Sequence, residues 1–115
     1  MNELVAVYGT LKQFYHNHRV MPSGSELVGL GVGVGKMVSL GGFPGILKDT
    51  LGSYTCELWS VTDITPLDRL EGNGSFYTRE KRPIILDDGD EVEAWVYMLP
   101  ADEYNEYETV ELGVW

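Results

Sequence analysis

Every second residue of one apolar segment is glycine, and this alternation restricts the fold more than any other feature of the sequence. A strand is predicted over residues 27–34. The alternating glycines are Gly29, Gly31 and Gly33 within this strand and Gly35 directly after it. Because successive side chains in a strand point to opposite faces, one face of the predicted strand carries no side chains. Such a face requires a bend or a close approach of backbone, as at the corner of a barrel.

Five further segments have strand character, so the pattern predicts about six strands in all. They are short apolar or alternating runs bounded by turn residues, at residues 4–8, 36–40, 54–61, 76–86 and 92–98. Residues 46–48 could add a short strand after a glycine-rich turn over residues 41–45. The pair Asp88-Gly89 predicts a hairpin turn between the last two strands.

One short helix is predicted between residues 65 and 72. Thr65 suits the N-cap, Pro66 suits the first helical position and Gly72 suits the left-handed stop. Asp68 lies three residues after the cap, where acidic residues complete a capping pattern. The side chains expected to be buried are Ile64, Leu67 and Leu70. The predicted fold class is therefore α+β, with a curled, glycine-kinked sheet and few short helices.

The composition favours one globular domain in a reducing compartment. The chain has 115 residues, of which 43% are apolar and 23% are charged, values typical of a single folded domain. Cys56 is the only cysteine, so no internal disulfide can form. The first residues do not resemble a signal peptide, and no segment approaches the ~18 apolar residues of a membrane span. We therefore expect a cytoplasmic protein with no membrane partner.

Acidic residues are concentrated in the second part of the sequence. The net charge is −10, and residues 51–115 hold four basic against fifteen acidic residues. A surface of this charge repels phosphate backbones and anionic lipids. The charge therefore disfavours nucleic acid as a partner and favours a small molecule or a peptide-like metabolite.

Glu71 is the candidate catalytic residue that the sequence singles out. It lies at the C-terminal end of the predicted helix, where the helix macrodipole disfavours an anion. This unfavourable field, with partial burial, should make the carboxylate more basic, as a general base requires. The alternative from position alone is a solvated glutamate at a frayed helix end.

Other candidate sites have simpler structural explanations. The glycine run lacks the spacing of a nucleotide-binding loop. Residues 87–91 do not follow the register of a calcium loop and fit a hairpin turn. His16 and His18 have no third zinc ligand near them in the sequence. Cys56, which alternates with Tyr54, is interpreted as a buried structural thiol. We therefore expect no metal site and no nucleotide site.

Several short motifs occur in an order that resembles the gamma-glutamylcyclotransferase-like family. They are Y-G-T-L at residues 8–11, Asn17-His18, G-F-P-G at 42–45, L-D-R-L-E-G at 67–72, Y-T-R at 77–79 and A-W-V-Y at 94–97. The resemblance extends to about Leu99, and the family includes gamma-glutamylamine cyclotransferases. It implies a small mixed β-barrel with short helices and no metal or organic cofactor.

The resemblance also implies a reaction and a set of site residues. The α-amine of a gamma-glutamyl group attacks its own γ-carbonyl and releases 5-oxoproline, and the family's catalytic glutamate falls on Glu71. Backbone N–H groups of Gly9, Thr10 and Leu11 could hold the substrate carboxylate or an oxyanion. Tyr8 would line the site, as could Tyr77 and Tyr97, although the last two could also be core aromatics. Arg79 could pair with a substrate carboxylate, but a neighbouring acid of the protein is favoured.

The sequence leaves the leaving amine and the oligomeric state open. It divides the chain into a domain over residues 1–100 and an acidic, tyrosine-containing tail over residues 101–115, which could pack or fray. One alternative is a non-catalytic module that binds a small molecule in the same cavity. Another is an interaction protein that uses the acidic tail. A generic hydrolase, releasing free glutamate, is a third.

Overall fold

The computed structural model describes residues 2–9, 21–39, 44–47, 52–71 and 77–99, together with residues 110 and 113. These residues form seven strands and one α-helix. The elements are β1 (Glu3–Val7), β2 (Glu26–Val34), β3 (Lys36–Ser39), β4 (Pro44–Leu47), β5 (Ser53–Val61), α1 (Thr65–Glu71), β6 (Thr78–Leu86) and β7 (Glu91–Met98).

Five of the strands close into a barrel in the order β1-β5-β2-β6-β7. The neighbours pair antiparallel except for β7 and β1, which pair parallel and close the barrel through Val5 opposite Trp95 and Ala6 opposite Val96. The remaining strands, β3 and β4, form a separate antiparallel pair. The expected small mixed barrel with a short helix is confirmed.

The glycine-rich strand β2 has an irregular register and glycines that are packed closely against neighbouring strands. Its register against β5 shifts between Leu27 and Gly29, as at a β-bulge. Its buried glycines face close neighbours, since a Cβ on Gly31 would lie 2.6 Å from Cγ2 of Ile84. The absent side chains therefore leave room for residues of the adjoining strands inside the barrel.

The core has two apolar layers because the barrel strands alternate. One layer fills the barrel and includes Ala6, Cys56, Leu58 and Val96. The other lies outside these strands and includes Val5, Val7, Trp59, Tyr97 and the helix residue Leu67. Helix α1 is thus attached to the outer surface of the barrel through Leu67, which is fully buried.

The helix occurs where it was predicted, but two details differ. Leu70 is 41% exposed, so the expected stripe is reduced to buried Leu67 and partly buried Ile64. Thr65 is the first helical residue and not the predicted N-cap, because the Ile64 carbonyl accepts the Asp68 N–H at 3.0 Å. The N–H of Thr65 donates to Oδ1 of Asp63 at 3.0 Å, so Asp63 caps the helix start. In this helix of seven residues, the buried Leu67 identifies the face that packs against the barrel, and a helix this short depends on such packing.

Two further details concern the connections. Strand β4 begins at Pro44, inside the segment predicted to be a turn, because residues 44–47 pair with β3. In the predicted tail, the N–H of Val110 donates to the Met37 carbonyl at 2.8 Å, and the Gly113 carbonyl accepts from the Thr55 N–H at 2.8 Å. Val110 also packs on the layer inside the barrel. At these two positions the tail is packed; its other residues lie outside the described set.

Candidate active site

Glu71 is the last residue of α1, as the sequence predicted. Its backbone carbonyl accepts the N–H of Tyr77 at 3.3 Å, which brings the start of β6 back to the helix end. Its side chain interacts electrostatically with Tyr8, which follows β1, and with Tyr97 on β7. Residues from four separate parts of the chain therefore meet at the end of this helix.

The Glu71 carboxyl group is buried enough to change its acidity. Loss of solvation raises the pKa of Glu71 from 4.5 to about 7, because burial disfavours the charged form. No charged or hydrogen-bonding group among the described residues offsets this effect. The expected direction is found, and its cause is burial. At neutral pH such a carboxyl group is divided between its basic and acidic forms, which suits proton transfer in both directions.

Three tyrosines near Glu71 donate their hydroxyl protons to other groups of the protein. Tyr8 donates to the backbone carbonyl of Tyr97 at 2.5 Å, and Tyr77 donates to the carbonyl of Pro44 at 2.6 Å. The hydroxyl of Tyr97 donates to Oδ1 of Asp68 at 2.6 Å. Burial raises the pKa of the Tyr8 and Tyr97 hydroxyls above the ordinary tyrosine value. These tyrosine side chains are therefore neutral, and their hydroxyl protons are donated to groups other than Glu71.

Gly9 lies beside the same group of residues. A Cβ at this position would be 3.0 Å from Cγ of Pro44, whose carbonyl receives the Tyr77 hydroxyl. Glycine therefore allows the chain leaving β1 to lie against Pro44. The structure brings Tyr8, Gly9 and Tyr77 together with Glu71 and Tyr97, whereas Thr10 and Leu11 lie outside the described residues.

Arg79 pairs with an acid of the protein, as favoured by the sequence. Its Nη1 lies 2.8 Å from Oδ2 and 3.1 Å from Oδ1 of Asp68. From the sequence, Asp68 was predicted only to take part in capping the helix. In the structure its carboxylate accepts hydrogen bonds from Arg79 and Tyr97. Charge alone could have suggested the pair, but only the tertiary structure brings Arg79 at the start of β6 to Asp68 on the helix.

The remaining candidates have structural roles or are outside the described residues. Cys56 is buried, and its Sγ lies 3.6 Å from the Gly31 carbonyl. The segment after β6 forms the predicted turn, in which Gly89 has a φ of 93°. His16 and His18 lie outside the described residues. Within the part of the chain that is described, no group of three histidine, cysteine or acidic residues is placed to hold a metal ion.

Comparison with known proteins places the chain in a family. The family model described as gamma-glutamyl cyclotransferase, AIG2-like, matches residues 5–115. The chain belongs to this family. The match includes the residues after Pro100, which lie beyond the extent of the resemblance given by the short motifs. Membership indicates gamma-glutamylcyclotransferase-like activity and a small-molecule gamma-glutamyl substrate.

Individual relatives agree with this assignment. A curated protein of Methanocaldococcus jannaschii, provisionally named a gamma-glutamylcyclotransferase, is 34% identical over 102 residues, which are 85% of each chain. The crystal structure of an AIG2-like protein from Mus musculus has a TM-score of 0.84 at 26% identity, covering 96% of this chain and 87% of that one. A Pyrococcus horikoshii protein shares the fold at 18% identity, with a TM-score of 0.71 and coverage of 97% and 88%. In the described residues, no helix has the length and hydropathy to cross a membrane.

Proposed function

We propose that this protein releases 5-oxoproline from a gamma-glutamyl amide, with Glu71 as the general acid and base. The observation that carries the proposal is the environment of Glu71, a partly buried carboxyl group whose pKa is raised by desolvation to about 7 and which interacts with Tyr8 and Tyr97. A helix C-terminus disfavours the carboxylate anion, and strongly perturbed pKa values cluster at functional sites. The family of the chain supports the same reaction.

The reaction needs one proton acceptor that later becomes a proton donor. The Glu71 carboxylate takes a proton from the substrate's α-ammonium group, and the freed nitrogen attacks the γ-carbonyl carbon. A C–N bond forms in the five-membered ring, and the carbonyl oxygen becomes an oxyanion. When the oxyanion collapses, the original amide C–N bond breaks and protonated Glu71 supplies its proton to the leaving nitrogen. The regenerated Glu71 carboxylate then removes the second proton from the ring nitrogen, and this proton leaves with the amine as its ammonium form. The products are 5-oxoproline and a free amine, and the ring closes rapidly because both reacting groups belong to one molecule.

The other proposed site residues bind and enclose the substrate. The backbone N–H groups of Gly9, Thr10 and Leu11 hold the substrate carboxylate or the oxyanion. Tyr8, Tyr77 and Tyr97 exclude water from Glu71, because their rings are buried and their hydroxyl protons are already donated. No metal or organic cofactor takes part in these steps.

The proposal also covers the setting of the reaction. All residues given a role lie within residues 1–100, the predicted catalytic domain, and residues 101–115 have no role in the chemistry. We propose a cytoplasmic location because a single cysteine fits a reducing compartment. The net charge of −10 disfavours nucleic acid and anionic membranes as partners. The leaving groups that the proposal covers are an amino acid, a peptide, a protein lysine side chain and an amine of a biosynthetic pathway.

The test is a panel of gamma-glutamyl amides, assayed for 5-oxoproline with the wild-type protein, Glu71→Gln and the control Glu93→Gln, which alters an exposed glutamate. We expect 5-oxoproline from at least one substrate with the wild type and the control. Glu71→Gln should lower turnover by at least about 100-fold, the lower range for a positioned general base. Free glutamate as the product would replace the proposal with a hydrolase. Ligand binding without any product would replace it with a binding module.

A further inference from the structure

We propose that Asp68 and Arg79 are positioning residues for Glu71, because their ion pair, joined by the Tyr97 hydroxyl, holds the last turn of α1 against β6 and β7. Neither residue is proposed to contact the reacting atoms. This inference rests on the proposed function for its catalytic consequence, but the placement of Glu71 can also be measured without turnover.

The first observation is that the Asp68 carboxylate is held from two strands at once. Arg79 on β6 donates to both of its oxygens at 2.8 and 3.1 Å, and Tyr97 on β7 donates to Oδ1 at 2.6 Å. The ion pair is only partly exposed, with 21% of the Arg79 side chain and 26% of the Asp68 side chain accessible to solvent. A carboxylate held by several charge-assisted hydrogen bonds has little freedom to move.

The second observation is that, among the described residues, the side-chain polar contacts of the last helical turn are made by Asp68, while the Glu71 carbonyl accepts the Tyr77 N–H. Asp68 precedes Glu71 by three residues, so the two side chains lie one turn apart on neighbouring parts of the helix surface. After buried Leu67, Arg69 and Leu70 are both exposed. A seven-residue helix has little stability of its own and depends on tertiary contacts. The proposal is that the Asp68 contacts, together with the Tyr77 N–H, fix the position of Glu71.

The third observation is that Arg79 is itself supported from the barrel. Its guanidinium carbon lies 4.3 Å from the centre of the Trp95 ring on β7. The Trp95 indole donates to Oε2 of Glu3 on β1 at 2.9 Å. A continuous set of contacts thus connects the closing strands of the barrel to the helix that carries Glu71. Such an arrangement fits an arginine that orients the helix better than one reserved for a substrate.

The Glu71 carboxyl group reports whether the helix end has moved. Among the described residues, the groups that interact with it electrostatically are Tyr8, which follows β1, and Tyr97 on β7. Both tyrosines are neutral near pH 7, and Asp68 is the other acid of its own helix. Burial raises the pKa of Glu71. If the helix end loosens, the carboxyl group gains solvent and its pKa falls toward the ordinary value.

The experiment compares Asp68→Asn and Arg79→Gln, with Lys81→Gln as the matched control. Lys81 is the next outward residue of β6, and its amine also lies over Trp95, at 4.8 Å. For each folded variant, kcat and KM are measured from about pH 5 to 9, and the Glu71 side-chain carboxyl carbon is titrated by NMR. We expect both variants to lower kcat by about ten- to a hundredfold, as expected for a displaced catalytic group. In Asp68→Asn and Arg79→Gln, the acidic limb of the kcat–pH profile should shift to lower pH by about one unit. In Lys81→Gln the profile should be unchanged.

The direction of the two shifts separates positioning from a direct effect of charge. Removing the negative charge of Asp68 would lower the pKa of Glu71 through space, whereas removing the positive charge of Arg79 would raise it. Positioning predicts a fall in both variants, so opposite shifts would overturn the proposal. Unchanged titrations would also overturn it and leave the pair a role in stability alone. A rise of KM confined to Arg79→Gln would instead assign that residue to the substrate.

Two conservative variants keep the test decisive if a first variant does not fold. Arg79→Lys retains a cation that can pair with Asp68 and should restore most of kcat and the Glu71 titration. Tyr97→Phe removes only the third hydrogen bond and should lower the Glu71 pKa by a smaller amount. If the wild type turns over no gamma-glutamyl amide, the proposed function fails, while the NMR titrations still decide whether Asp68 and Arg79 position Glu71.

Discussion

The ring of Tyr54 lies where a side chain on Gly33 would have to be. The two residues are opposite each other in the β2–β5 ladder, and a Cβ on Gly33 would overlap Cζ and Oη of Tyr54. Tyr54 is 1% exposed, and its ring meets that of Tyr8 edge-on at 5.9 Å. The glycine thus provides the space in which an aromatic residue fills the barrel next to the candidate site.

Gly33→Ala should therefore destabilise the protein by about 1–3 kcal/mol, as overpacking of a tight core does. The enclosed Tyr54 ring cannot move aside without disturbing Tyr8. Gly29→Ala is the matched control on the same strand, because nothing lies within 4 Å of its added methyl group. Urea unfolding of both variants measures the difference. Equal stability of the two variants would contradict the close packing.

Glu71→Gln should be more stable than the wild type at neutral pH. Because burial raises the pKa of Glu71 from 4.5 to about 7, the folded state binds a proton that the unfolded state releases between these pH values. The wild type therefore loses stability as the pH rises from about 4.5 to about 7, by up to roughly 3 kcal/mol. Glutamine does not titrate, so the stability difference between Glu71→Gln and the wild type should be absent at low pH and reach its full size above pH 7. Melting temperatures of both proteins from pH 4 to pH 8 test this; a constant difference would contradict the burial of a titrating carboxyl group.

The rate of 5-oxoproline release should rise with pH through an apparent pKa of about 7, that of Glu71. Only the deprotonated carboxylate can accept the substrate's ammonium proton. The residual rate of Glu71→Gln should lack this limb. The measurement is kcat/KM for one substrate over pH 5–8. A limb centred near pH 4.5, or one that persists in the variant, would remove Glu71 from the role of general base.

Removing residues 101–115 should destabilise the barrel. Two backbone hydrogen bonds, at Val110 and Gly113, connect this segment to Met37 and Thr55, and each is worth about 1 kcal/mol. Val110 also covers part of the layer inside the barrel. A truncation after Pro100, with a truncation after Val114 as its control, should lower the melting temperature. An unchanged melting temperature would show that the segment is a separate tail.

Replacement of Cys56 and treatment with a chelator should both leave activity unchanged. Cys56 lies inside the barrel against Gly31, among residues given no role in proton transfer. Cys56→Ala should therefore lower stability modestly, through the small loss of packing, with kcat within a fewfold of the wild type. The assay is 5-oxoproline release with and without EDTA. A large loss of kcat in a folded variant, or in EDTA, would require a different mechanism.

Much of the fold could be predicted because strand alternation and turn residues are local signals. The alternation of Cys56 with Tyr54 predicted a buried thiol in β5, and both residues are buried. Thr65 and Pro66 predicted the start of the helix. The exposure of Leu70 could not be predicted, because helical spacing alone does not reveal how wide a surface the barrel offers to a short helix.

The features of the candidate site also separate into those that the sequence determined and those that depend on the tertiary structure. By itself, the sequence determined that a strand alternating with glycine needs close neighbours and that Glu71 ends a helix. Only the tertiary structure decided that Tyr54 occupies the space above Gly33, that burial changes the acidity of Glu71, and that Asp68 faces Arg79 and Tyr97. The reason is physical: alternation and capping depend on residues a few positions apart, whereas desolvation and ion pairing depend on which distant strands the closed barrel brings together.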